Sequence, residues 1–223
     1  MNDSWRRLHD AARRDDPYQA LVTLHRSTGG DVLRCGPGGH SIAPEEIVRR
    51  ATRVRVGGSD VDRATQTEEV CTPAQLERLG LVALRHGGAC ASEPDQEWTT
   101  ALAWSRLGMS ERLLNACMTS LDGRWFGGSK LLHQQLVKGA LADVAAELTE
   151  TRTLLTGTSP DRSVVALVHR QLTGADRTQL RLLGANGFAA DGPGRWAYVS
   201  ELLADVYAGS DAGKATKEPG AAT

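Results

Sequence analysis

Residues 132–155 read LHQQLVKGALADVAAELTETRTLL and carry a helical pattern without a break. Apolar side chains recur there at spacings of four and seven residues, which places them on one face of an α-helix. They are Leu132, Leu136, Ala140, Val144, Leu148 and Leu155. The pattern predicts a helix of about seven turns that ends near residue 156 and needs a neighbour to cover its apolar face.

Three further segments around this helix have the same character. Helical spacing of apolar residues predicts a helix over residues 96–122, and a third helix follows the sequence Thr-Ser-Pro-Asp at 158–161 and ends at Gly184. A fourth helix follows Pro193-Gly194 and uses the apolar residues Trp196, Val199, Leu203 and Val206. Four helices with short loops and one apolar face each predict an antiparallel four-helix bundle over residues 96–208. The chain is therefore predicted to be mainly α.

The remaining regions have a different composition. Glycine pairs interrupt residues 1–95, which favours a small, irregular α(+β) region with short elements. The elements predicted there are helices at 4–14, 44–52 and 73–86 and a strand at 54–56. Residues 209–223 are small and polar without apolar periodicity, so we expect a disordered tail.

Composition and charge exclude several classes of protein. The chain has 223 residues, with 26 basic and 27 acidic side chains. A net charge of −1 provides no positive field for a phosphate backbone, so we expect no nucleic-acid partner. No stretch approaches about 18 apolar residues, and no apolar run follows the first residues, so the sequence predicts a cytoplasmic protein without a membrane segment.

The cysteines and histidines of the first region allow one alternative. Cys35 with His40, and His86 with Cys90, form two pairs with Cys71 between them, and four such ligands are enough for a tetrahedral zinc site. Their spacings differ from those of common zinc knuckles, and a chain without an export signal keeps its thiols reduced. We therefore predict no metal. The sequence also lacks a Gly-x-Ser-x-Gly elbow and a phosphate-binding loop with its lysine.

Three segments, in this order, resemble the C-terminal helical domain of the acyl-CoA dehydrogenase family. Residues 122–127 read DGRWFG and are similar to the family's Arg-x-x-Phe-Gly loop. The family's arginine position falls on Gly123 when counted back from Phe126 and on Arg124 when counted forward from Leu107-Gly108, so both assignments remain open. Residues 135–152 contain a Gln, a Leu-Ala-Asp-Val stretch and an Arg at the family's separations. Residues 183–188 read LGANGF, followed by Pro193 and by YAGS at 207–210. The resemblance covers about the last half of the chain and does not extend to residues 1–95.

The resemblance implies an FAD site that is shared between subunits of a homo- or hetero-oligomer. It makes Arg124, Phe126, Gly184 and Gly187 candidate contacts to the ADP half of the cofactor. The two glycines lack a Cβ, so a turn that contains them can adopt positive φ and let a ligand approach the backbone. For an isolated pair of glycines, the end of a helix is the ordinary interpretation.

The chain departs from the family at the position of the catalytic base. Most members carry there the glutamate that removes the α-proton of the acyl thioester, and this chain has Ala208. Some members supply the base from the start of the first bundle helix, where Glu97 lies within one residue. An acidic residue in the first turn of a helix is also favoured by the helix dipole alone. Glu97 is therefore a weak candidate for the catalytic base.

Two functions remain open on this sequence. The first is an FAD-linked acyl-CoA dehydrogenase-like oxidoreductase component, a shortened subunit that completes the FAD site of a base-bearing partner. The second is a non-catalytic dimerisation or regulatory protein that retains only the helical bundle. The departures at Arg181, Ala185, Val199, Ser200 and Ala208 agree with the second, and the conserved-looking loop and glycine turn agree with the first.

Overall fold

A computed structural model describes residues 3–56, 58–87, 93–157, 160–189 and 192–209. Of the expected disordered tail, 209–223, only Gly209 lies inside the described residues. Cys90 of the considered zinc site and the first two residues of the 158–161 helix start also lie outside them.

Short helices and strands form the first part of the molecule. Its helices are α1 (Asp3–Arg14), α2 (Pro17–Ser27), α3 (Glu45–Arg50) and α4 (Ala74–Glu77). Its strands are β1 (Val32–Arg34), β2 (His40–Pro44), β3 (Arg53–Val56), β4 (Ser59–Asp62), β5 (Thr67–Val70) and β6 (Leu81–Gly87). They form two three-stranded sheets, β1-β3-β4 and β2-β6-β5, in which only the β1/β3 pair is parallel. The predicted helices at 4–14 and 44–52 and the strand at 54–56 are confirmed within a few residues.

The predicted helix at 73–86 is wrong beyond its first turn. Helix α4 ends at Glu77, and the chain turns at Gly80 with φ of +69° before it becomes strand β6. This strand lies between β2 and β5, and three of its apolar residues are buried. A short apolar run is compatible with a helix or with a strand. Residues 81–87 form a strand because they pair with β2 on one edge and with β5 on the other. Helix α2 was not predicted.

Four long helices form the second part, at the predicted positions. They are α5 (Gln96–Asp122), α6 (Gln135–Thr156), α7 (Arg162–Leu183) and α8 (Gly194–Tyr207). A two-stranded hairpin of β7 (Trp125–Phe126) and β8 (Ser129–Lys130) connects α5 to α6. Helix α5 contacts α6, α7, α8 and α1. The chain is thus mainly helical, with two small sheets in its N-terminal region and the β7-β8 hairpin between the long helices. Within the described ranges, no helix is long and apolar enough to cross a bilayer.

One hydrophobic core connects the two parts. Leu8 of α1 and Leu21 of α2 belong to the same buried cluster as Trp98 and Trp104 of α5. Helix α1 lies very close to α5, because a Cβ on Gly108 would collide with the carbonyl oxygen of His9. Glycine at this position permits that approach.

Buried polar contacts connect strands β1 and β2 to the long helices. The hydroxyl of Tyr207, at the end of α8, donates to the carbonyl oxygen of Ile42 at 3.0 Å and accepts from its N–H at 2.8 Å. Arg34 of β1 is buried and forms an ion pair of 2.7 Å with Asp95, whose other carboxylate oxygen caps α5. These contacts fix the start of α5 and the end of α8 against the sheets.

The Tyr207→Phe variant tests this connection. Removal of the hydroxyl leaves the buried N–H and C=O of Ile42 without their partner, so we expect a loss of about 1–2 kcal/mol in unfolding free energy. Urea denaturation measures the loss. Tyr198→Phe on the same helix is the matched control, because the Tyr198 side chain is 38% exposed. Equal effects of the two substitutions would contradict the role of the Tyr207 hydroxyl.

Candidate functional site

The hairpin after α5 and the turn after α7 lie next to each other. Arg124 precedes the hairpin, and its Nη1 donates to the carbonyl oxygen of Leu183 at 3.4 Å. Asn186, in the turn, donates to Ser120 near the end of α5 at 3.3 Å. The loop at 122–127 and the glycine turn at 184–188 are therefore brought together at one end of the long helices.

The two glycines of this turn serve different purposes. Gly184 has φ of +58° and ψ of −140°, a conformation that only glycine adopts readily, and no atom lies within 4 Å of the position of its missing Cβ. Gly187 is buried, and a Cβ there would meet Leu183 and Leu180 at 3.1 and 3.3 Å. The backbone at Gly184 is thus open to a ligand, whereas Gly187 is packed against its own helix end.

Substitution of Gly184 measures the free-energy cost of placing a residue with a Cβ at its positive φ. Because the position has space for a methyl group but a backbone that disfavours one, we expect Gly184→Ala to lower the unfolding free energy by about 1–2 kcal/mol. Gly139→Ala on α6 is the matched control, since that site is also open but helical. The control should raise stability by about 0.5–1 kcal/mol. Thermal or urea denaturation of both variants measures the difference, and the same sign for both would contradict the explanation.

The side chains around this turn are unusually exposed for their type. Trp125, Phe126 and Phe188 are 67%, 71% and 76% exposed. Large aromatic rings left in solvent at one end of a helical domain are typical of a surface that another molecule covers. Arg124 is also exposed and carries the positive charge that a phosphate group requires. Arg124, Phe126 and the open backbone of Gly184 therefore share one exposed surface, while Gly187 supports the turn.

Glu97 and Ala208, the two candidate base positions, are each next in sequence to one of two aromatic rings that contact each other. Trp98 follows Glu97 at the start of α5, Tyr207 precedes Ala208 at the end of α8, and their rings contact each other at 5.2 Å between centroids. Glu97 is exposed in the first turn of its helix. The cavity bordered by Trp98, Tyr207 and the buried Arg34 has a volume of about 10 Å³. That space holds about one water molecule, which is too small for a thioester.

Ala208 faces a groove between α7 and α8 whose volume is about 310 Å³. Two carboxylates of α8, Glu201 and Asp205, line it together with Arg177 of α7. Glu201 pairs with Arg177, whose Nε lies 3.1 Å from the carboxylate. Burial, and then the charge of Glu201, raise the pKa of Asp205. These carboxylates were not among the predicted site residues, because helix-surface acids have no distinguishing sequence pattern.

A buried polar network lies beneath this groove, and no sequence pattern predicted it. Arg106 of α5 is fully buried, and its guanidinium donates to Ser200 at 2.9 Å and to His169 at 2.8 Å. Ser200 in turn donates to the buried carboxylate of Asp176 at 2.9 Å. Burial lowers the pKa of Arg106 and raises that of Asp176, while the two opposite charges stabilise each other's ionised form. The network connects α5, α7 and α8.

A serine, a histidine and a glutamate also meet in the sheet of β2, β6 and β5. Ser41 Oγ lies 2.7 Å from His86 Nε2, and His86 Nδ1 lies 3.4 Å from Glu68. Ser41 is 1% exposed, and its Oγ also lies 2.6 Å from the carbonyl oxygen of Arg34, to which it donates. A nucleophile must reach its substrate, so this arrangement stabilises the sheet rather than forming a hydrolase site. No cluster of three or more potential metal ligands occurs among the residues that the structure describes.

Comparison with solved structures identifies the architecture. An acyl-CoA dehydrogenase from Geobacillus kaustophilus aligns with a TM-score of 0.57 and 14% identity, over 90% of this chain and 71% of that one. A glutaryl-CoA dehydrogenase from Mycobacterium smegmatis, solved in complex with FADH2, gives 0.56 and 17%, over 82% and 58%. The ChsE4-ChsE5 complex from Mycobacterium tuberculosis gives 0.58 and 16%, over 88% and 68%. The chain has the fold of the acyl-CoA dehydrogenases.

At these identities the similarity establishes the acyl-CoA dehydrogenase fold alone. No protein-family model matches the sequence, and no curated protein matches it. The chain spans 58% of the length of the glutaryl-CoA dehydrogenase. One expectation needs correction, because alignments that cover 82% or more of the chain extend into residues 1–95, where the sequence resemblance did not reach. Structure is retained there by packing that tolerates a change of nearly every side chain.

Proposed function

We propose that this chain is a shortened acyl-CoA dehydrogenase-like subunit, an oxidoreductase component that pairs with a base-bearing subunit and completes its FAD site in the cytoplasm. The observation that carries the proposal is the exposed end at which Arg124, Phe126 and the open Gly184 turn lie together. In this proposal helices α5 to α8 form the antiparallel bundle that presents this end to the partner. Residues 1–95 form a small region that packs on the bundle of residues 96–208 through a shared core.

The side chains at this end hold the cofactor rather than take part in its chemistry. Arg124 supplies charge-assisted hydrogen bonds to a phosphate, Phe126 offers an aromatic face, and the absence of a Cβ at Gly184 allows close approach to the backbone. FAD, when bound, accepts the hydride that leaves an acyl thioester during desaturation. Gly187 keeps the turn in place by packing against Leu180 and Leu183.

Three features support placing the acyl substrate in the partner. Ala208 has no group that accepts a proton, and Glu97 is an exposed first-turn acid that the helix dipole favours. The small cavity bordered by Trp98 and Tyr207, about 10 Å³, does not hold a thioester. One structural neighbour, ChsE4-ChsE5, is a complex of two different proteins. A hetero-oligomer with an acyl-CoA dehydrogenase-like subunit is accordingly our proposed assembly.

Co-expression with a full-length acyl-CoA dehydrogenase subunit from the same organism tests the function. We expect the two chains to co-purify with the yellow absorbance of oxidised flavin. A variant with both Arg124→Gln and Phe126→Ala should retain its melting temperature and lose flavin from the complex, because both side chains are exposed. Tyr198→Ala, which removes an exposed aromatic ring on α8, is the matched control and should keep flavin. A colourless chain that forms no complex would refute the proposal.

Turnover without a partner provides a separate prediction about Glu97. We expect no acyl-CoA oxidation by the isolated chain when an artificial electron acceptor is present. If the chain were self-sufficient, Glu97→Gln would reduce turnover by about 10²- to 10⁴-fold, the usual contribution of a general base. Measurable turnover that this substitution abolishes would overturn the partner-dependent model and assign the base to Glu97.

The second candidate function is a non-catalytic dimerisation or regulatory protein. The replacement of the base position by Ala208 favours it, because a site without a catalytic duty retains no carboxylate. Under this alternative FAD does not stabilise the purified assembly, whereas a cofactor at 100 times its Kd contributes about 2.7 kcal/mol. A thermal shift on addition of FAD to the assembly therefore discriminates between the two functions.

A further inference from the structure

A second groove, away from the exposed hairpin, runs between α5 and α6 and ends at α1. Its volume is about 330 Å³, at the lower end of the range for small-molecule sites. One face of each helix lines it, and Arg13 of α1 closes one end. The residues from the two long helices are Glu111, Leu114, Asn115, Ala145, Leu148, Thr149 and Arg152.

The closed end of the groove carries more positive than negative charge. Glu111 is the only carboxylate among the lining residues, and it binds Arg152 directly and lies 3.1 Å from the buried His9. Arg13 reaches the same carboxylate only at 3.6 Å and is half exposed. Two guanidinium groups therefore face one carboxylate, and one positive charge remains to be balanced.

Apart from the amide of Asn115 and the hydroxyl of Thr149, the rest of the groove is apolar. Leu148 is 4% exposed at its floor, Leu114 packs beside it, and Ala145 presents a methyl group at the rim. The hydroxyl of Thr149 donates to the carbonyl oxygen of Ala145 at 2.8 Å, so that polar group is satisfied within the helix. A ligand that contacts these residues needs a hydrocarbon portion rather than further hydrogen-bonding groups.

We propose that this groove binds a carboxylate that bears an unbranched apolar chain. The carboxylate lies against Arg13 and Arg152, since a guanidinium matches a carboxylate in charge and geometry, and the chain lies over Leu114 and Leu148. The shared chemistry is that of a medium-chain fatty acid, and decanoate is a suitable probe. The proposal does not depend on the FAD-linked function, because the groove shares no residue with the exposed hairpin end.

Titration calorimetry of the purified chain with decanoate tests the site. We expect saturable binding that weakens with added salt, and we expect decanol to bind at least about tenfold less tightly because it lacks the charge. Arg13→Gln should weaken decanoate by a similar factor. Arg14→Gln is its matched control, because Arg14 is 77% exposed on the same helix end and does not line the groove.

A second pair of variants tests the groove itself without removing a core residue. Ala145 and Ala146 are both exposed on α6, and only Ala145 lines the groove. Ala145→Phe should fill it and abolish decanoate binding, whereas Ala146→Phe should leave binding unchanged. Failure of decanoate to bind the wild-type chain, or equal binding to both phenylalanine variants, overturns the proposal. Equal affinity for decanol would show that the charged end is not part of a carboxylate site.

Discussion

Arg106→Met lowers the free energy of unfolding by about 3–5 kcal/mol, the expected cost of removing one partner from a buried charge pair. Arg106 is fully buried and is connected to the equally buried carboxylate of Asp176 through Ser200. Methionine occupies a similar volume but leaves the carboxylate without a compensating charge in the core. Urea denaturation at pH 7 measures the effect.

Arg177→Met is the control for the loss of an arginine that is paired with a carboxylate. Arg177 pairs with Glu201 at the surface, where its side chain is 60% exposed, so its removal should cost less than about 1 kcal/mol. Adding Asp176→Leu to Arg106→Met should recover part of the loss, because the orphaned charge is then gone. If the two methionine variants were equally stable, the buried network would not contribute to stability.

Acidification from pH 7 to pH 5 lowers the unfolding free energy by about 2–3 kcal/mol. Burial lowers the pKa of His25 to about 4 and that of His169 to about 3. In the unfolded chain both histidines take up a proton near their ordinary pKa of about 6.5, whereas in the folded protein they stay neutral at pH 5. Each therefore costs about 2 kcal/mol at pH 5, at 1.36 kcal/mol per pH unit.

Asp176 opposes this trend in the same interval. Burial raises its pKa to about 6, so the folded protein takes up a proton above the pH at which the unfolded chain does. Stability from this group increases as the pH falls through 6, by about 1 kcal/mol at pH 5, which reduces the net loss. Above about pH 6.5 the two buried histidines do not reduce the unfolding free energy. Stability is lost as the pH falls from there toward the pKa values of His25 and His169 in the folded protein.

His25→Phe isolates one of the two histidines. The ring of His25 packs against Trp98 at 4.8 Å between centroids, and its buried Nε2 has no hydrogen-bond partner. Phenylalanine removes the hydrogen bond of the ring to the backbone of Ile42, but the Ile42 carbonyl oxygen keeps its bond from the Tyr207 hydroxyl. The variant should lose about 2 kcal/mol less between pH 7 and 5 than the wild type. His133→Asn, at an exposed residue, is the control and should follow the wild type. An unchanged loss in His25→Phe would contradict the assignment.

The local sequence was sufficient for the long helices and for the existence of the glycine turn. The apolar stripe at Val144, Leu148 and Leu155 and the stop at Gly184 depend only on spacing and on the conformational freedom of one residue, and both appear in α6 and α7. The predicted start of the stripe is wrong, because Leu132 precedes α6 and Leu136 is 89% exposed. The sequence also brought the loop at Arg124 and the turn at Gly184 into one hypothesis, and the structure brings Arg124 to Leu183. The roles of these residues toward FAD remain proposals.

Tertiary contacts decided the rest. Residues 81–87 are a strand because β2 and β5 pair with both of its edges, a condition that no local pattern contains. No sequence pattern singled out Arg106, His169 and Asp176, which are buried because three helices converge on them and remove the water. The contact between Trp98 and Tyr207 joins residues that are 109 positions apart in the chain. Periodicity records which face of a helix is buried, whereas contacts between distant segments depend on how the buried faces are assembled.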